Sequence, residues 1–394
     1  MVPGVPASGD IDACWLRVAR VTVARQARSV DDGTSRADVD YIWPNNLTQT
    51  ARPPQLVYLD LNHWISLAKV AAGHPGGGKY LEASQECFRA SERGAAIFPL
   101  SETIYFEVSK IRAHRQRRDL REVMERLSGF QVVASRTVIA TLEVEALLDM
   151  IVGPSPTPVT RASYLDWGVA RAFGMVGGFQ VRDQSGVDVS AEARAAHPKG
   201  PEAFDALLQQ AEIDLNRRSL EGPASGEEAE LRNSGWNPQA AFEVAEKRAQ
   251  QEVEQVARFD SDERWRRGRI RDVISAREVI IEINDPLSEG LARRNAALEQ
   301  AFPTPLDMRR AIDAMPSTDV AITLKTAYHQ DANHRWTPND IHDIDALAAT
   351  LPYCDVVATD KAVATHVTRT GLADRLNSHI VSDLSGLADR LTLR

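Results

Sequence analysis

Residues 351–361 read LPYCDVVATDK, and residues 57–62 read VYLDLN. Each contains a short apolar run that ends in an aspartate: Asp360, preceded by Thr359, in the first, and Asp60, followed by Asn62, in the second. Runs of this kind suit strands buried on both faces, as in a parallel sheet covered by helices. Parallel strands bring their carboxyl ends to one edge, where open α/β sheets bind ligands. The two aspartates are therefore expected side by side, with Asp355, at the start of its strand, at the opposite edge. Read alone, Asp60 or Asn62 serves equally well as a cap on the helix that follows.

The pattern extends outward from these strands. HWISLAKVAAG (63–73) has the spacing of an amphipathic helix ended by Gly73, and HPGGGK is a loop. YLEASQECFRASERG (80–94) predicts a second helix, AAIFPL (95–100) a second buried strand, and residues 101–127 one or two helices. FQVV (130–133) and a helical run to Leu148 follow, and VGPSPTP (152–158) marks a break. Residues 151–317 are mostly helical in pattern, with loops at DQSGVDVS, HPKGPE and LEGPASGEE. Strand character returns at REVIIEI (277–283), CDVVATD (354–360) and HIVSDL (379–384). A sheet opened at Leu56 and completed after Asp355 makes the middle an insertion. The expected organisation is an extension, 1–54, holding one strand-like run (WLRVARVTVAR); an α/β domain from 55–150 and 318–394, three-layered around a central, mostly parallel sheet; and a helical insertion, 151–317.

With 394 residues, 43% of them hydrophobic and 26% charged, the chain can bury a sizeable core. A net charge of −9 offers no broad cationic surface, so any nucleic-acid contact must use local basic strips. Three widely spaced cysteines, Cys14, Cys87 and Cys354, lack a C-x-x-C and argue against a disulfide framework or a cysteine-rich zinc site. No long apolar span and no signal-peptide core is apparent, so a cytoplasmic protein without membrane contact is expected.

Two further acids lie inside apolar patterns. Glu107, on a helix capped by Ser101, shares a face with Ile104 and Ile111; it needs a cation or a hydrogen-bond donor, and a structural pairing with arginine stays open. Glu102, in the first turn, suits the helix dipole. In TPNDIHDIDALAATL (337–351), Thr337 is the expected cap and Pro338 the first helical residue. Asp340 and Asp343 lie along one edge of the buried stripe and can approach one ligand; Asp345 projects to the other flank, and His342 points away from the stripe toward solvent. Acids in such surroundings coordinate a cation or form paired networks, and oxygen-only ligands suit Mg2+ or Mn2+. Carboxylates around such ions are common equipment for phosphodiester hydrolysis.

The order and context of these acids resemble the PIN-domain ribonuclease superfamily: an Asp in D-x-N after the first strand, a Glu on the helix after the second, an Asp opening a later helix, and an Asp after a strand ending in Thr-Asp. The resemblance covers about residues 55–148 and 318–394. It implies a metal-dependent endoribonuclease whose catalytic acids are Asp60, Glu107, Asp343 and Asp360, holding Mg2+ or Mn2+, with Asn62 and Thr359 as supporting polar groups. Its register favours Asp343 as the third ligand, with Asp340 second. RNA, single-stranded or structured, is the implied partner. The alternative is a catalytically silent module that keeps the fold and binds RNA or a protein, with self-association through the insertion also open.

Two basic runs are candidates for the phosphate backbone. Arg112, Arg115 and Arg118, with His114, Arg117 and Arg121, are expected on the continuation of the Glu107 helix. Trp265, Arg266 and Arg267 lie in the insertion with Arg264, Arg269 and Arg271, where the indole is a candidate stacking platform. The tract GHPGGGKY (73–80) mimics a phosphate-binding loop but has Tyr80 in place of the metal-binding hydroxyl and follows a helix rather than a strand. The histidines show no zinc spacing.

Overall fold

A computed structural model describes residues 40–48, 54–175, 179–224, 226–233, 237, 239–261, 263–266 and 268–392. The run WLRVARVTVAR lies outside them. The described chain is a mixed α/β protein.

The two opening stretches do form neighbouring strands. Numbering strands in chain order, β1 is Leu47–Thr48, β2 Gln55–Leu59, β3 Ala96–Ile97, β4 Gln131–Val133, β5 Ala162–Ser163, β6 Leu165–Trp167, β7 Val356–Ala358 and β8 His379–Val381. The central sheet runs β3-β2-β7-β8, with every pairing parallel. All five residues of β2 and all three of β7 are buried, which explains their unbroken apolar character. Leu100, beyond β3, bridges in parallel to Val132 of β4.

The helices used below are α1 (Leu61–Ala71), α2 (Leu81–Glu92), α3 (Glu102–Ser109), α4 (His114–Ser128), α5 (Arg136–Ile151), α6 (Pro201–Glu221), α7 (Gln239–Ser261), α8 (Ile270–Glu278), α9 (Asn284–Arg293), α10 (Pro316–Gln330), α11 (Pro338–Thr350), α12 (Lys361–Arg369) and α13 (Leu384–Thr392). Helix α10 is buried from Pro316 to His329, so its charged residues must find partners inside the protein. Asp319 does so with Tyr41, Arg271 and Arg375, and the Tyr41 contact ties down the chain that precedes β2.

Residues 162–172, expected in the insertion, pack into the α/β domain. Strand β6 pairs antiparallel with β4, β5 pairs with β1, and Tyr164, Val169 and Ala172 join the main core. A second core forms between the far face of α5 (Val144, Leu147, Leu148) and Phe259, Ile270, Ile274, Leu287, Leu291 and Ile312. These residues would expose apolar surface without α5, so the insertion and the α/β domain share that helix.

Three local expectations are corrected. REVIIEI is not a strand: Glu278 ends α8, and Val279–Ile283 is a π-helical turn running directly into α9. A short apolar run has no distinguishing periodicity, and no turn residue separates this one from the helix before it. His342 is buried, and its ring centroid lies 6.2 Å from that of Phe106. The basic run does not continue the Glu107 helix, because α3 ends at Ser109 and α4 begins at His114. The glycine tract at 73–80 also has a structural cause: a Cβ on buried Gly77 would lie 2.7 Å from the Lys69 carbonyl oxygen.

Candidate active site

Strand register builds the site. Leu59 pairs with Ala358, and Asp60 N–H donates to the Ala358 carbonyl at 2.9 Å, so Asp60 and Asp360 leave the sheet on the same edge. Asp355 lies at the other end of β7, where its Oδ2 accepts from Leu56 N–H at 2.8 Å. Both edge aspartates also cap helices. Asp60 Oδ1 accepts from Leu61 N–H at 2.6 Å, and Asp360 Oδ1 from Val363 N–H at 2.9 Å. Each cap engages one carboxylate oxygen, Oδ1, so capping alone does not use the other.

Helix α3 is fixed to β2 by hydroxyls. Ser101 Oγ accepts from Ile104 N–H, and Ser101 shares hydrogen bonds with Thr103 (2.7 Å) and with the buried Tyr58 hydroxyl (3.2 Å). This anchor aims Glu107 at the edge. Helix α11 starts as expected, with Thr337 and Asp340 in a reciprocal capping box: Asp340 Oδ2 accepts from Thr337 N–H at 2.6 Å and from its hydroxyl at 2.7 Å. Asp340 is therefore committed to the cap, and its other oxygen faces His334 Nε2 at 3.5 Å.

Burial and neighbouring charges raise three of the four acids. Burial first, then the charges of Asp60, Glu107, Asp360 and Asp340, push the Asp343 carboxyl up to about 8. Burial and then Asp60 raise Glu107 to about 7, with Lys110 opposing. Asp60 is raised by burial and by Asp360, against the Leu61 N–H, His63 and a hydrogen bond from Asn62. Thr359 is buried, and its carbonyl meets His63 Nε2 at 3.2 Å. Asp345 makes the contrast. Burial alone would raise it, yet the guanidiniums of Arg248 and Arg136 hold it well below the usual carboxylate range. Asp60, Glu107 and Asp343, raised by burial and by neighbouring carboxylates, have the donor chemistry of a site for a hard dication. As placed, no three His, Cys, Asp or Glu side chains among the described residues form a set that would hold a metal.

The basic strips divide. Arg112, Arg115 and Arg118 are exposed and make no ion pair among the described residues. Arg117 is buried and donates to the Ile111 and Pro223 carbonyls, while Arg121 pairs with Glu125 and Glu221. In the second strip Trp265 is 42% exposed, with the Arg269 guanidinium 6.0 Å from its ring centre. Arg266 is held by Asp260 and the His329 carbonyl, and Arg271 is buried against Asp313, Asp319 and Thr323. Arg267 lies outside the described residues.

Sequence reasoning missed Lys110 and the wall around it. Its Nζ donates to Asn339 at 3.2 Å and lies 5.4 Å from the centre of the Phe242 ring, which brings α7 of the insertion to the acidic edge. Its place three residues after Glu107 was the available signal. Tyr328, stacked on His334 at 4.4 Å, was missed as well; it borders the edge closely enough for burial and then Asp343, Asp340 and Asp360 to raise its hydroxyl.

No family model, no curated protein and no solved structure matches this chain. No helix among the described residues is long and apolar enough to cross a membrane.

Proposed function

We propose that the chain is a PIN-like, metal-dependent endoribonuclease. One observation supports this reading: Asp60 and Asp360 leave adjacent parallel strands on the same edge, and Asp60, Glu107 and Asp343, each from a different element, are raised by burial and by neighbouring carboxylates. Asp60, Glu107, Asp343 and Asp360 would hold Mg2+ or Mn2+, with Asn62 and Thr359 supporting them. The ion, when bound, supplies an activated water and neutralises charge on the leaving oxygen. Arg112, Arg115 and Arg118 would bind the RNA backbone beside the edge, with Trp265 and the second strip as a further contact. Lys110 and Phe242 narrow the approach from the insertion side. The buried thiols of Cys87 and Cys354, each pushed up to about 12 by burial, suit a reducing cytoplasm.

The second reading is a silent RNA- or protein-binding module. It is favoured by the caps at Asp60 and Asp360 and by the lack of a closed metal set among the described residues. Calorimetric titration with Mn2+, followed by incubation with total RNA, separates the two. Metal binding with cleavage that Asp60→Asn abolishes supports the enzyme. RNA binding without metal uptake supports the module.

A further inference from the structure

A second set of charges, buried or half-buried and paired, lies next to the acidic edge. Asp345, two residues after Asp343 on α11, accepts from Arg136 of α5 at 2.5 Å and from Arg248 of α7 at 2.5 and 3.0 Å. Arg248 also donates to Glu282 at 2.9 Å. Arg136 reaches Glu278, which takes Lys325 Nζ at 2.7 Å. Glu252 of α7 closes the set with His329 at 2.9 Å and Arg277 at 3.3 Å. The charges thus link α5, α7, α8, α10 and α11. Glu102 on α3 and His342 on α11 both sense Asp345 and Arg248, which puts this cluster where the Glu107 helix meets the Asp343 helix.

We infer that Arg248 is a positioning residue: from the insertion it grips Asp345, and so sets the direction in which Asp343 points toward Asp60 and Glu107. The consequence for metal binding rests on the ribonuclease reading; the clasp itself does not. Two residues along a helix are about 200° apart, so fixing Asp345 on one flank turns Asp343 to the other. A roll of α11 would strip the half-buried Asp345 carboxylate of both guanidiniums and leave Arg136 and Arg248 with only Glu278 and Glu282, which the interior resists. The insertion is then part of the site and not an appendage to it.

The test compares the full chain with Arg248→Gln and Arg248→Lys, reading hydrogen exchange along α11 and Mn2+ affinity by calorimetry. In Arg248→Gln, Asp345 keeps Arg136 as a partner, so the substitution removes one of its two guanidiniums and not both. Exchange should rise at residues 338–350, and Mn2+ affinity should fall about 10- to 100-fold, the range for groups that orient metal ligands. Arg248→Lys, which keeps the charge, should recover most of the loss. Unchanged exchange at α11, or a rise spread evenly over the chain, overturns the clasp. Should Arg248→Gln fail to fold, Asp345→Asn carries the same comparison with the shape of the side chain preserved. A wild-type chain that takes up no Mn2+ sinks the ribonuclease reading, while exchange at α11 still decides the clasp.

Discussion

Asp60 N–H donates to the Ala358 carbonyl at 2.9 Å, two residues short of Asp360. That one bond extends the β2–β7 ladder past its last paired residues and brings two aspartates from distant parts of the chain to a common edge. Opposite edges would have removed the basis for a shared site.

Asp60→Asn should lower RNA cleavage at least about 100-fold, since removing a metal ligand outweighs removing a group that merely orients one. Stability should change little, because asparagine caps a helix about as well as aspartate. Cleavage rates together with thermal melts check both halves. A variant that cuts normally refutes the assignment of Asp60.

Stability without metal should fall as pH rises. Asp343, pushed up to about 8, and Glu107, to about 7, hold protons that the unfolded chain, at ~3.9 and ~4.3, has already released. Their contribution is complete below about pH 4 and is lost as pH climbs through 7 and 8. Added Mn2+ should reverse the trend, because it binds the deprotonated acids and displaces their protons. Calorimetric scans between about pH 5 and 8, with and without the ion, would show it. A profile that ignores Mn2+ counts against a metal site.

Replacing Arg112, Arg115 and Arg118 together by Ala should weaken binding to single-stranded RNA. It should also flatten the plot of log affinity against log salt by about 2, since each lost phosphate contact removes ~0.7. Filter binding over a salt series measures this. An unchanged slope would leave the strip a solvated face.

Gly290→Ala should destabilise the chain by roughly 1–3 kcal/mol, even though alanine is the better helix former. A Cβ at this position of α9 would meet Leu148 Cδ1 at 2.5 Å and Glu145 Oε1 at 2.8 Å, so two buried side chains of α5, one of them ion-paired with Arg293 and Arg294, would have to shift. Urea unfolding gives the value, and a stabilised variant would contradict this packing.

Much of the sheet and of the acidic edge is legible in the sequence. Buried parallel strands announce themselves as short apolar runs, and Asp60, Ser101 and Thr337 each cap a helix near where pattern alone places a start. The hidden parts depend on contacts between distant segments. Asp345 and Arg248 are 97 positions apart, and nothing local marks either as half of an ion pair. REVIIEI misleads because Ile and Val fill a strand and a buried helical turn alike. His342 looks solvent-facing on its own helix until Phe106, on another, covers it.

The placement of β2 between β3 and β7 has a consequence for how the chain is made. Its partner on one side is synthesised soon after it, but β7 lies about 300 residues further on, which ribosomes take roughly 15–60 s to produce at ~5–20 residues per second. For that interval one edge of the apolar strand QLVYL stays open to any other strand that meets it. Recombinant yield should therefore depend on growth temperature and chaperone supply more than on the stability of the finished fold. The acids at 343 and 360 are made long after those at 60 and 107, so no nascent fragment that ends before residue 360 carries the full set.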